Sequence, residues 1–90
     1  MTTSSGTVSV NTQKLESRII KQIIIEAATI TNTFDFDIKD EKNLTVFNTE
    51  TKATGKLLQE VNIPTSGIYT LRIYNSSLDE LFTGRIMIEE

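Results

Sequence analysis

Four carboxylates crowd into one stretch of the chain, at Asp35, Asp37, Asp40 and Glu41. Hard cations such as calcium need several converging oxygens, so this run is the first place to look for chemistry. Asp35 and Asp37 share one face of an extended segment, because side chains alternate with a period of two. The stretch nevertheless lacks both a glycine and the regular Asp-x-Asp-x-Asp ladder that would wrap an ion. A solvated outer face, with Lys39 and Lys42 nearby, is the expected role, and Asp35 and Asp37 would also discourage edge pairing. No metal and no cofactor is expected. General acid–base work usually falls to histidine, and covalent work to cysteine or an activated serine. The chain has neither histidine nor cysteine, and no Gly-x-Ser-x-Gly, phosphate loop or Ser-x-x-Lys occurs. No catalytic residue is expected, so the protein is read as a non-enzyme.

Two weaker signals remain. Asn43-Leu44-Thr45 and Asn75-Ser76-Ser77 match the glycosylation acceptor pattern. The composition yields about 1.4 such matches by chance, so two carry no information. Arg72 and Tyr74 on one outward face are suited to stacking on a sugar or pairing with an acidic partner, and equally to ordinary cross-strand packing. The net charge of −3 argues against binding nucleic acid or an anionic membrane surface.

The elements that must position any site are strands. Isoleucine, valine and threonine make up 30 of the 90 residues, against three alanines, and such β-branched side chains suit a pleated surface. Thr7 to Asn11 alternates Val8 and Val10 with polar residues. Leu15 to Ile30 fits a helical stripe as well, but five isoleucines between positions 19 and 25 favour a strand. Strict alternation puts Ile19, Ile23, Ile25 and Ala27 on one face of it and Ile20, Ile24, Ala28 and Ile30 on the other. Residues 33–39 alternate cleanly, with Phe34, Phe36 and Ile38 inward and Asp35, Asp37 and Lys39 outward, and form a hairpin with 44–49. Residues 50–55 read as a polar loop, 56–63 as a strand ended sharply by Pro64 to Gly67. Strands at 68–74 and 81–89 complete the pattern. Six to seven short strands predict an all-β chain, a single antiparallel β-sandwich of jelly-roll or immunoglobulin-like type spanning residues 12–90. Its expected core is Phe34, Phe36, Ile38, Val46, Leu57, Val61, Ile63, Tyr69, Leu71, Ile73, Phe82, Ile86 and Ile88.

A sandwich of this size buries only about 64% of the surface its unfolded chain exposes, from roughly 14,600 to roughly 5,300 Å². Small chains without disulfide staples often lean on partners. Residues 1–11 read as an extended N-terminal arm with a first short strand, too polar to order itself. Its start lacks the basic-then-apolar order of a signal peptide, and no apolar run approaches membrane-spanning length, so a soluble, unprocessed chain is expected. The arm and the second face of the isoleucine strand are the two places where the chain cannot satisfy itself. Thr2, Thr3, Thr7, Val8, Val10, Ile20, Ile24 and Ile30 are therefore the expected partner interface.

From Phe34 to Ile88 the chain runs FDFDIKDEKNLTVF, a polar loop, then EVNIPTSGIYTLRIYNSSLDELFTGRIMI. This order of an F-D-F-x-I-x-D strand, a V-F strand, an I-P-x-S-G-x-Y-T-L-R-I corner and a closing F-T-x-R strand resembles small β-sandwich proteins of tailed-bacteriophage virions, of the head decoration or cement kind. The resemblance implies a structural protein of the virion, assembled in the host cytoplasm. It would bind the major capsid protein or other virion proteins, in many copies or as a homo-oligomer. The S-G-x-Y-T-L corner is also similar to jelly-roll domains appended to secreted peptidases and carbohydrate-active enzymes, which implies a carbohydrate- or receptor-binding module instead. Against that alternative stand the absence of tryptophan and the small number of aromatic residues left over from the core.

Overall fold

With one third of its residues β-branched, the backbone has little reason to leave the extended region, and the described residues contain no helix. The computed structural model describes residues 1–89. Eight strands follow in order: β1 (Val8–Asn11), β2 (Leu15–Ala27), β3 (Thr33–Lys39), β4 (Thr45–Asn48), β5 (Ala53–Thr54), β6 (Lys56–Gly67), β7 (Thr70–Tyr74) and β8 (Phe82–Glu89). They form two antiparallel sheets, β1-β7-β3-β4 and β5-β6-β2-β8, joined where Thr33 and Phe34 of β3 also pair with β5. Two strands are long, β2 at 13 residues and β6 at 12.

The inner faces meet in one apolar cluster. Phe34, Phe36, Ile38 and Ile73 from the first sheet pack against Ile20, Ile23, Ile25 and Phe82 from the second. The rings of Phe34 and Phe82 meet edge to face across the layers, 5.0 Å between centroids. Each fully buried isoleucine contributes on the order of 1.5–3 kcal/mol. The folded surface, 5461 Å², lies close to what chain mass alone leads one to expect.

The structure corrects several expectations. Ile20 does not share an outward face with Ile24; it is fully buried beside Ile23 and Ile25. The cause is a register break between Ile20 and Gln22, where Lys21 is an extra residue opposite β8. One extra residue flips the parity of everything beyond it, so a strand that looks apolar on both sides has one buried row. A second break follows Glu16, at Ser17, whose φ is +53°. Ile30 is not in a strand at all; it sits in the turn after β2 and is 82% exposed.

Val46 and Ile88 do not belong to the closed core, at 37% and 36% exposure. Val46 lies on four-residue β4, which is paired only with β3, and Ile88 lies near the end of an edge strand. The 50–55 loop holds β5. Pro64 does not end its strand, because among the described residues β6 beyond Lys56 has no partner on its outer side, and an edge tolerates a missing N–H. The break comes at Gly67, where φ is +99°.

Residues 1–11 do include the short first strand, β1, and the segment lies against its own domain. Met1 exchanges main-chain hydrogen bonds with Phe82, and Thr3 N–H donates to the Glu80 carbonyl at 3.0 Å. The N–H groups of Ser5 and Gly6 donate to the Asp79 carboxylate at 3.0 and 2.6 Å. β1 then pairs antiparallel with β7, Val8 opposite Ile73 and Val10 opposite Leu71. The polar segment is ordered by its own domain, not by a neighbour.

Candidate functional site

The acidic run is spoken for by protein donors. Asp40 Oδ1 accepts from the N–H groups of Lys42 and Leu44, both at 2.9 Å, forming the β3–β4 turn. Glu41 accepts from the Ile68 N–H at 2.8 Å. Asp35 accepts from Thr49 Oγ1 and Asn75 Nδ2, each at 3.2 Å. Asp37 points away from the core as expected but is only 2% exposed, a correction to the solvated face. It stands directly opposite Arg72 and receives its guanidinium at 2.6 and 3.2 Å. Arg72 also lies over the Tyr74 ring, 4.1 Å from its centroid, and its pKa is raised, chiefly by the hydrogen bond to Asp37. The Arg72–Tyr74 pair is thus cross-strand packing, completed by Tyr74 Oη donating to Asn48 at 2.8 Å. Among the described residues no three carboxylates converge as a metal site would require.

A second polar centre is structural. Asn32, fully buried, lies where the chain crosses from β2 to β3 and meets residues 76–80, where it crosses from β7 to β8. Its Oδ1 accepts from Ser76 Oγ at 3.0 Å, Ser77 Oγ at 2.8 Å and Leu78 N–H at 3.2 Å. Its Nδ2 donates to the Leu78 carbonyl at 3.3 Å and to Glu80 Oε1. That donation holds the Glu80 carboxyl below its ordinary pKa. Thr3, also buried, accepts from the Glu80 N–H at 2.9 Å and ties the first residues to the same centre.

A large apolar concavity opens on the side where β1 and β8 are the outermost strands of their sheets. Its volume is about 620 Å³. Leu15, Ile25 and Phe82 form the buried floor; Val10, Leu71, Leu81, Ile86 and Ile88 line the walls; Met1 closes one end. Gly84 permits that closure, since a β-carbon there would stand 3.0 Å from Met1 Cε and 2.9 Å from Ile25 Cδ1. Neither flanking edge carries proline or an inward-pointing charge, the usual devices against added strands.

The expected interface residues do not gather here. Of the eight, Val10 alone lines the groove. Thr2 bridges to Leu81, Thr7 to Ser4, Val8 packs against the core, and Thr3 and Ile20 are buried. Ile24 is half-buried on the opposite face of its sheet, and Ile30 stands alone in its turn. Alternation reports which way a side chain points, not whether the layer opposite reaches it, so Leu71 and Ile86 pack against the core and yet, with Ile88, line an open groove. Neither the protein-family models nor the curated proteins contain a match to this chain.

Proposed function

We propose that this protein is a non-enzymatic structural subunit of a bacteriophage virion, of the capsid decoration or cement kind, binding the assembled shell or sibling subunits. The jelly-roll or immunoglobulin-like assignment belongs to the same proposal. The observation that carries it is the groove: an apolar cleft between two sheet edges that, among the described residues, have no strand paired on the open side. Such a cleft suits an added strand, with main-chain bonds giving affinity and alternate side chains filling the apolar floor. A subunit that binds only the assembled shell stabilises it by mass action, and many weak copies act together.

The carbohydrate-binding alternative draws less support, because the half-buried Phe47 and Tyr74 are the most open aromatics among the described residues. Of the six aromatics, Phe34, Phe36, Tyr69 and Phe82 are buried, Phe47 packs on Phe36, and Tyr74 is covered by Arg72. The test starts from the neighbouring genes: one of them is expected to encode a major capsid protein, and its assembled shells are used for co-sedimentation, while a neighbourhood without such a gene counts against the proposal. Wild type pellets with the shells, and the variant carrying Val10→Asp and Ile88→Asp, both at half-exposed rim positions, stays in the supernatant with an unchanged dichroism spectrum. Wild type that pellets no more with shells than alone overturns the proposal.

A further inference from the structure

The β8 edge is self-complementary. Phe82 directs its N–H and C=O outward, to Met1, so by the two-residue repeat Gly84, Ile86 and Ile88 direct theirs to the same side. Beyond Phe82 no strand among the described residues pairs with that side. Gly84, Ile86 and Ile88 stand opposite the buried Ile25, Ile23 and Ile20 and so share the groove face, while alternation puts Arg85, Met87 and Glu89 on the other face, with Arg85 also bordering the groove. Arg85 is exposed and makes no ion pair among the described residues; Glu89 is exposed and only loosely bridged, to Lys21 at 3.5 Å.

We propose that a second copy of the chain closes the groove, its β8 pairing antiparallel with β8 about a two-fold axis at Met87. The proposal rests on the structural-subunit reading and names the partner. The pleat allows only registers that pair inward residues with inward ones. Centred between Gly84 and Ile86, Arg85 would face its own copy, a like-charge contact that is destabilising. Centred on Ile86, Arg85 would face Met87 and Thr83 would face Glu89. Centred on Met87, Arg85 faces Glu89 twice, Met87 faces itself outside, and Ile86 faces Ile88 over the groove. In that register Ile86 and Ile88 exchange their free main-chain hydrogen bonds with the other copy. The added strand extends the β5-β6-β2-β8 sheet over the apolar opening. Pairing β1 with β8 of another copy would instead be heterologous and would build a ring or a filament in place of a closed pair. β1 with β1 offers four residues and no charge to set a register.

The register has a direct probe, because the chain has no cysteine. Met87 would meet its copy at a pair without direct hydrogen bonds, where α-carbons stand about 4.5 Å apart, within disulfide reach. Met87→Cys is expected to oxidise to a disulfide-linked dimer, and Thr83→Cys to dimerise without forming a disulfide. In sedimentation velocity the full chain runs as a dimer. Arg85→Glu and Glu89→Arg each shift the dissociation constant upward tenfold or more, and the two together restore it. A wild-type chain that stays monomeric at its highest soluble concentration overturns the pairing, as does a charge-swapped double variant weaker than either single one. A monomer that still pellets with shells would overturn the pairing but leave the structural-subunit reading in place. A dimer that ignores shells would do the reverse.

Discussion

Replacing Asn32 by alanine tests how the two sheet crossings are held together. The side chain is fully buried, and it satisfies both the N–H and the C=O of Leu78. Ser77 is exposed, so its hydroxyl can turn to water once Asn32 is gone. The Leu78 carbonyl keeps contacts to Thr3 Oγ1 and Ser76 Oγ. The Leu78 N–H keeps nothing. Losing the bond to Glu80 at about 1 kcal/mol and stranding one donor at about 1–3 kcal/mol gives an expected cost of about 2–4 kcal/mol. A 90-residue domain has roughly 5–13 kcal/mol in all. The thermal midpoint should fall by roughly 10–30 °C, and amide exchange at Thr3, Ser5 and Gly6 should accelerate because their partners lie in the same 76–80 loop. The pH dependence adds a second readout. Glu80 has a lowered folded pKa, caused first by the Asn32 amide. Its contribution is complete above the unfolded carboxylate value and is lost as pH falls through the folded one. The stability gap between wild type and Asn32→Ala should therefore narrow in acid. A gap below about 1 kcal/mol at neutral pH, or one that widens in acid, would refute the assignment of Asn32 as the clamp.

Gly55→Ala should cost about 1–3 kcal/mol for the backbone alone, since φ is +70° and a β-carbon would approach Ile30 Cα at 2.9 Å; an unchanged denaturant midpoint would contradict the turn. Phe36→Ala should cost about 3–5 kcal/mol, because the ring is fully buried against Phe47. Asp35→Ala should cost far less, and the reverse order of midpoints would refute the β3 register. Deleting residues 1–10 should lower the midpoint and promote aggregation by baring the β7 edge beside Leu71 and Ile73, whereas an unaltered midpoint would return that segment to the status of a loose arm.

Legibility in the sequence tracked how local the cause was. The inward row Phe34, Phe36 and Ile38 and the extent of β3 followed from alternation alone, because a central strand without a bulge obeys the two-residue repeat. Ile20 was misplaced for the same reason: nothing in the run Ile19-Ile20-Lys21-Gln22-Ile23 marks Lys21 as the extra residue, and a bulge is a property of the strands opposite. Asp37 looked solvated because its cover, Arg72 on Tyr74, comes from 35 residues further along the chain. The segment from Met1 to Gly6 looked unable to order itself because polar residues bury little apolar area, yet it is held by hydrogen bonds to residues 76–82, a partner that no local window contains.

These long-range ties also explain why the groove stays open where it does. The β2–β3 crossing, the β7–β8 crossing and the first seven residues meet at one end of the sandwich, where Asn32, Thr3 and Asp79 satisfy one another's backbone. Met1 covers the β8 edge only at Phe82, the residue nearest that end. From Gly84 onward the edge runs away from it, and β1 stops at Asn11 on the facing sheet. The strand carrying Arg85 and Glu89 is therefore anchored at its first residue and, among the described residues, unpaired along its outer side thereafter. An anchored strand has already lost the conformational freedom that adding a strand would otherwise cost, so its free main-chain groups are presented in a fixed register. A chain with a small core benefits twice from that arrangement: the partner strand supplies the missing hydrogen bonds and covers Ile86, Ile88 and Val10 in the same step.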